Sequence, residues 1–256
     1  MTISITSRKN GIIGKAISAI VALLLWQVFS VVIADKLLLV SPLDVLKRLS
    51  EMVFEQEFAF ALLFSFKRIA LGFLSGVIVG TILGLLSGKC RWIETLLWPY
   101  MITVKSVPVA SIVVIALLWI SSANLSFLIS FLMVMPIIYT NLLEGVRSVD
   151  KKMLEMADVF KMPFSRRLRF IWLPSIKPFA ISGCKVAVGL AWKSGVAAEL
   201  IGYPKGSIGE ALYYSKLWLE TADLFAWTVA IVAVSVLFEK LFVFLLLKFF
   251  ERAERV

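Results

Sequence analysis

Long apolar runs separated by short polar connections are the main pattern along this chain. Runs such as AISAIVALLLWQVFSVVIA and FAWTVAIVAVSVLF are continuously apolar and lack the alternation of barrel strands. A helix crosses a bilayer with about 20 apolar residues. The pattern therefore predicts an all-α, polytopic membrane protein with about six spans. They run from Ala16 to Ala34 and from about Ile69 to Ser87, Ile93 to Ile120, Leu125 to Leu143, Phe179 to Ile201 and Leu224 to Leu247.

A polar and amphipathic segment, SPLDVLKRLSEMVFEQEFAFALLF, follows the first span. Ser41 and Pro42 stand where a helix cap and a first helical turn favour them. The segment therefore predicts a surface helix outside the apolar core. On this reading, residues 1–15 form the N-terminus, 16–34 the first span, 35–61 an external segment with the amphipathic helix, 62–247 the core and 248–256 the C-terminus.

A second polar segment, EMADVFKMPFSRRLRFIWLPSIKP, separates two apolar runs and is strongly basic. A helix is predicted as far as Phe160, and Pro163 marks the turn after it. A short basic helix follows and is predicted to end at Pro174. The resulting hairpin would expose an apolar tip, which favours contact with another protein. The predicted tip residues are Met162, Pro163 and Phe164.

Composition agrees with a membrane location, since 60% of residues are hydrophobic and the mean hydropathy is +0.93. The formal net charge of +10 is distributed unevenly among the connections. The N-terminus, the turn at 89–91, the loop at 144–178 and the C-terminus are much more basic than the remaining connections. The positive-inside rule therefore places these segments and both termini in the cytoplasm. The basic charge reflects topology, and no nucleic-acid partner is expected.

Several other readings of the sequence are not favoured. The first apolar run is long enough to span a membrane and precedes DKLLLVSP, which does not resemble a small-residue signal-peptide cleavage site. Cys90 and Cys184 stand far apart, so no metal site is expected. The absence of histidine removes the commonest general base, and no GxSxG pattern replaces it. An enzyme is therefore not expected.

Glycine recurs at every fourth position of the second span, in LGFLSGVIVGTILGLLSG. Small residues at this spacing allow another helix backbone to approach closely, which is a main mode of helix association in lipid. The stripe is expected to pack within the chain, and a subunit interface is the alternative. Its members are Gly72, Gly76, Gly80, Gly84 and Gly88.

The basic segment resembles the EAA loop of binding-protein-dependent ABC importer permeases, whose pattern is E-A-A-x-x-x-G followed downstream by L-P. Here the pattern stands as EMADVFK, and RFIWLPSIKP follows it. Met156 replaces the first repeated alanine and Lys161 replaces the glycine. SPLDVLKRL, the glycine-rich span, LLWPYMITVKSVPVASIVVIALLWI, GVRSVD, AWKSGVAAELIG and GSIGEAL extend the resemblance to the branch that imports nitrate, taurine and alkanesulfonates, bicarbonate or thiamine-precursor pyrimidines.

This resemblance implies a type I permease core at 62–247, acting as a homodimer, or as a heterodimer, in a bacterial inner or plasma membrane. It also implies two separate ATP-binding subunits and an external substrate-binding protein. Since the chain has no GxxxxGK[ST] motif, ATP-Mg would be held by those partner subunits and no cofactor by this chain. The residues implied to form the ATPase-coupling loop are Glu155, Ala157, Asp158, Lys161, Met162, Pro163, Phe164 and Pro174.

Charged residues within the spans are candidates for function, because a central charge costs about 2.5 to 3.5 kcal/mol. Lys193 and Lys105, the latter just before Pro108, predict either a positively charged translocation pathway for an anion or a role in helix pairing. Glu199 is also a candidate pathway residue, and it is alternatively expected to pair with a lysine or to lie at the outer membrane–water interface. Trp192 is expected to be either a packing residue or a gate.

An ion-coupled secondary transporter is the alternative function. Such a carrier would need acidic residues near the middle of the membrane or broken helices in corresponding halves. Glu199 and Glu239 are the acids considered, and both lie near predicted span ends. The sequence also shows no internal repeat. An ATP-driven importer permease is therefore the favoured prediction.

Overall fold

The computed structural model describes residues 7–35 and 37–255, so the first six residues of the predicted N-terminus and the last of the predicted C-terminus lie outside it. Every regular element in these ranges is helical, as the apolar pattern predicts. The α-helices are α1 (Ser7–Ile33), α2 (Pro42–Met52), α3 (Gln56–Lys89), α4 (Arg91–Ser106), α5 (Val109–Ala116), α6 (Leu125–Arg147), α7 (Lys151–Val159), α8 (Phe164–Arg167), α9 (Leu173–Gly202), α10 (Ile208–Leu217) and α11 (Thr221–Arg255).

Three of the described helices are long and apolar enough to cross a membrane: Gln56–Lys89, Ser122–Arg147 and Thr221–Ala253. The bent pair of α4 and α5 would make a fourth. The apolar part of α1, Ile17–Ile33, is shorter. The helix α9 is also long, but it carries lysines and a glutamate. The structure therefore supports a polytopic helical protein, while the number of six spans stays a prediction.

The predicted third span is not one continuous helix. The helices α4 and α5 are bent by 101° at the break between Ser106 and Val109. Pro108 disfavours helical geometry in the residue before it, and Val107 accordingly has φ −75° and ψ 132°. The residues after Ala116 leave the helix in a turn. The predicted span from Ile93 to Ile120 is therefore a bent pair of helices in the structure, and its place as one span stays a prediction.

The predicted surface helix is also shorter than expected. It ends at Met52, and α3 begins only four residues later, at Gln56. Ser41 caps α2, since its hydroxyl accepts a hydrogen bond from Asp44 N at 3.1 Å. The second apolar run therefore belongs to a much longer helix that includes Lys67 and Arg68.

The described residues form two compact units, the first of which lies within residues 1–58 and 212–230. In this unit the indole of Trp26 donates to the Val40 carbonyl at 3.0 Å. Arg48 of α2 makes two hydrogen bonds to Asp223, of 2.6 and 2.8 Å. These bonds raise the pKa of Arg48 above its usual value. An ion pair therefore ties α2 to the beginning of α11.

The second unit comprises residues 59–211 and 231–256. Its core lies among α5, α6 and α9, where Val113, Leu125, Ile129 and Ala198 are fully or almost fully buried. Close packing of such side chains stabilises helix contacts in lipid. This unit contains the hairpin of α7 and α8, the glycine stripe and all of the candidate pathway residues.

The glycine stripe of α3 packs against α6. A Cβ at Gly76 would lie 2.8 Å from Val134, and one at Gly80 would lie 2.9 Å from the Cβ of Ile138. The other three glycines also face α6: Gly72 near Ser130, Gly84 near Leu142 and Gly88 near Val146. In this structure the glycines therefore allow close contact within the chain.

Candidate functional site

The hairpin begins with α7, which is capped at both ends by local hydrogen bonds. The Asp150 carboxylate accepts from Lys152 N at 2.9 Å. At the other end, Met162 N donates to Ala157 O at 2.8 Å and Lys161 N donates to Asp158 O at 3.0 Å. These two bonds form a Schellman motif, in which the residue after the cap adopts the left-handed conformation.

Lys161 occupies that left-handed position, with φ of 46°. It is also the position at which the EAA pattern has glycine. Glycine adopts positive φ without strain, whereas a residue with a Cβ loses about 1 kcal/mol or more. The departure from the pattern therefore preserves the turn but adds local strain to it.

A small hydrophobic core holds the hairpin together. Ala157 is fully buried and packs with Val149 and Ile171, and Met162 packs against this cluster. Met162 is accordingly half-buried, so the prediction that it stands exposed at the tip is wrong. Its contact follows from the Schellman motif, which places the second residue after the cap against the last turn of the helix.

Arg167 links the two arms of the hairpin. Its guanidinium donates to Met162 O at 2.8 Å and to Ala157 O at 3.2 Å, and it pairs with Asp158 at 2.5 Å. A cation at this place also interacts favourably with the C-terminal end of the helix dipole. No feature of the local pattern distinguishes Arg167 from the neighbouring arginines.

The outer surface of the hairpin is apolar and exposed. Val159 is 79% exposed, Phe160 75% and Phe164 66%. Pro163 and Glu155 are also exposed. Of the predicted tip residues, Pro163 and Phe164 therefore lie where expected. Val159 and Phe160 were missed, although their sequence position at the end of the first helix could have indicated them.

Pro174 does not end the second arm, contrary to the prediction. After α8, residues Leu168–Trp172 form a π-helical turn, and α9 continues directly from Leu173. A proline ring normally clashes with a carbonyl in the preceding turn, and a π turn widens the helix at that point. The hairpin therefore passes without interruption into α9.

The candidate pathway lysines are exposed on different helices. Lys105 lies near the end of α4, and its ammonium is 3.1 Å from the Thr140 hydroxyl. Pro108 lies at the break after α4 and is also exposed. Lys193 is exposed in the middle of α9. Their positions leave both ammonium groups accessible in the single chain.

Trp192 lies in an aromatic cluster and is 2% exposed. Its ring centre is 6.0 Å from that of Phe66 and 6.5 Å from that of Phe238. Phe238 also packs edge to face against Phe73, at 5.4 Å. Of the two expected roles, packing therefore agrees with the position of Trp192 in this conformation.

Glu199 is fully buried, and among the described residues it pairs with neither Lys105 nor Lys193. Its carboxylate accepts a hydrogen bond from the Ser65 hydroxyl at 2.6 Å and a longer one from Gly209 N at 3.4 Å. Ser65 in turn accepts from Ile208 N at 3.0 Å. Glu199 thus links α9 and α3 to the first turn of α10, and Ser65 is a partner that the sequence did not indicate.

Apolar helices, buried polar links and an exposed basic hairpin together define an α-helical protein with several membrane-spanning helices. The chain belongs to the binding-protein-dependent transport system inner membrane component family, whose pattern matches residues 76–256. The fold and the resemblance predicted from the sequence are therefore confirmed. As a member of this family the chain is a transport subunit.

Three relatives illustrate the family. The aliphatic sulfonates transport permease protein SsuC of Bacillus subtilis is 28% identical over 80% of this chain and 75% of its own length. The nitrate import permease protein NrtB of Synechocystis is 26% identical over 74% of this chain and 72% of its own. The bicarbonate transport system permease protein CmpB of Synechococcus elongatus is 31% identical over 54% of this chain and 50% of its own.

Proposed function

We propose that this chain forms the translocation pathway of an ATP-driven importer and couples to separate ATPase subunits through its α7–α8 hairpin. The main observation in support is the exposed apolar surface of Val159, Phe160 and Phe164 on a hairpin with a packed interior. Exposed aromatic side chains on a preorganised support are typical of protein-binding surfaces. The hairpin is thus suited to enter a groove on a partner subunit.

The complete importer in this proposal contains two permease chains, two ATP-binding subunits and an external substrate-binding protein. ATP-Mg binds only to the ATPase subunits. Both termini and the hairpin face the cytoplasm of a bacterial cell, in agreement with the basic residues of these segments. Association of the ATPases on ATP would move the two hairpins together and open the pathway to the outside.

The proposed substrate is a small anion of the sulfonate, nitrate or bicarbonate type. The three relatives are named for the transport of sulfonates, nitrate and bicarbonate, which are all anions, and Lys105 and Lys193 are exposed. A thiamine-precursor pyrimidine remains the second substrate class. Uptake that requires Lys105 or Lys193 for an anion, and not for a neutral solute, would support the first class.

The coupling proposal can be tested with two matched pairs of residues. Val159 and Phe160 form an exposed Val-Phe pair on the hairpin, and Val53 and Phe54 form another after α2, at 54% and 90% exposure. Both residues of each pair are changed to serine. An ABC-type ATPase identified by mass spectrometry should co-purify with the native chain and with the Val53 and Phe54 variant.

The Val159 and Phe160 variant should lose this ATPase while remaining folded by circular dichroism. Equal loss from both variants, or no ATPase with the native chain, would contradict the proposal. In the latter case, ion-driven uptake in vesicles without ATP would favour the secondary transporter instead.

A further inference from the structure

An apolar groove lies where the hairpin meets the ends of α3 and α6. Its volume is about 160 Å³. Lys89, at the end of α3, is the charged residue of the lining and is exposed. The apolar lining residues are Leu85, Val146, Phe164, Leu168, Trp172 and Ile176.

A cationic cavity lies beside this groove in the chain. It has a volume of about 380 Å³, and its lining includes Arg91 and Arg147. Arg91 follows Lys89 by two residues, and Arg147 directly follows the groove residue Val146. Glu94, which also lines the cavity, pairs with Arg147. The cavity therefore keeps a net positive charge next to an apolar groove.

Both cavities lie where apolar helices end. The apolar part of α3 stops at Lys89, and α6 stops at Arg147. Lysine and arginine at such positions extend towards the lipid headgroups. Basic pockets between helix ends are typical sites for anionic lipid headgroups.

We propose that the groove and the cavity together bind one anionic phospholipid. Its acyl chain lies in the groove against Leu168 and Trp172, and its phosphate lies near Lys89 and Arg91. The ammonium of Lys89 lies 5.9 Å from the centre of the ring of Phe164, which also lines the groove. The bound lipid would pack directly against the hairpin.

A peptide segment fits this groove less well than a lipid chain does. The backbone of an extended peptide carries N–H and C=O groups that need partners, and burial without them is costly. The groove offers apolar side chains and a single ammonium group. An acyl chain has no polar groups to satisfy, and its attached phosphate provides the matching negative charge.

The test uses the delipidated full chain in detergent, without any ATPase. Binding of phosphatidylglycerol and of phosphatidylcholine is measured by native mass spectrometry. The native chain should bind phosphatidylglycerol more tightly, and Lys89→Gln should weaken this binding about fivefold. The control is Lys248→Gln, because Lys248 also stands over an aromatic ring, 4.6 Å from Phe244, but does not line the groove.

A second measurement locates the acyl chain. Phosphatidylglycerol with brominated chains should quench tryptophan fluorescence of the native chain, and the quenching should be smaller in Trp172→Phe. Equal binding of the two lipids, equal effects of both lysine variants, or unchanged quenching in Trp172→Phe would overturn the proposal. If Lys89→Gln instead left phosphatidylglycerol binding intact and abolished ATPase co-purification in the separate assay of the coupling proposal, the groove would be a protein-docking surface.

Discussion

The Ser65 hydroxyl donates a 2.6 Å hydrogen bond to the buried carboxylate of Glu199 and accepts one from the backbone of Ile208. One small side chain therefore satisfies polar groups from two other helices. Because all of these groups are buried, water could not replace the hydrogen bonds that removal of the hydroxyl would break.

We expect Ser65→Ala to destabilise the protein by about 1 to 3 kcal/mol, because it leaves the buried Ile208 N–H without this partner and removes the shorter of the two hydrogen bonds to the Glu199 carboxylate. Thermal unfolding in detergent measures the change. Ser87→Ala is the control, since Ser87 lies on the same helix, is 3% exposed, and its hydroxyl has no hydrogen-bond partner among the described residues. An equal effect of both substitutions would contradict the role of Ser65.

Gly80→Ala should destabilise the contact between α3 and α6. The new Cβ would lie 2.7 Å from Met135 O and 2.9 Å from the Cβ of Ile138, and overpacking of this kind costs about 1 to 3 kcal/mol. Gly189→Ala is the control, because a Cβ there meets nothing within 4 Å. The control should be neutral or should stabilise its helix. The unfolding temperature should therefore fall for Gly80→Ala and stay the same or rise for Gly189→Ala.

Lys161→Gly should stabilise the hairpin by up to about 1 kcal/mol, because it removes the strain of a Cβ at positive φ. Hydrogen exchange at the Met162 amide, which donates to Ala157 O, reports this turn directly. Exchange should be slower in Lys161→Gly. Lys161→Ala removes the charge but keeps the strain, and equal slowing in that variant would show that charge is the cause.

Arg167→Ala should loosen the hairpin, whereas Arg166→Ala should not. Arg167 donates to two carbonyls and pairs with Asp158, whereas Arg166 is exposed. Loss of hydrogen bonds from a charged donor costs about 1.5 to 3 kcal/mol. Limited proteolysis between α7 and α8 measures the difference. Similar cleavage of both variants would rule out a specific role for Arg167.

Much of the fold was predictable because long apolar runs have few solutions other than helices. The length of α3 was not. The predicted second span begins at about Ile69, yet α3 begins at Gln56 and includes Lys67 and Arg68. The Arg68 guanidinium donates to the Ala123 carbonyl and lies 3.7 Å from the centre of the Phe64 ring. Such tertiary partners are not visible in a local pattern.

Two prolines among the candidate site residues show the same limit of prediction from a local sequence pattern. Pro108 interrupts its helix, whereas Pro174 lies just after a π turn and inside a continuous helical segment. The same residue type therefore had two outcomes, which depended on whether the preceding turn could widen. The burial of Met162 depended likewise on the Schellman turn, which the lysine at position 161 concealed.

The uninterrupted passage from Phe164 through the π turn to Gly202 has a mechanical consequence. At about 1.5 Å per residue, this helical segment is roughly 60 Å long. The apolar hairpin surface lies at one end and Glu199 near the other. A force applied by a partner at Phe164 would thus act on one continuous helical segment. The hydrogen bonds of Glu199 to Ser65 and Gly209 would hold the opposite end of that segment.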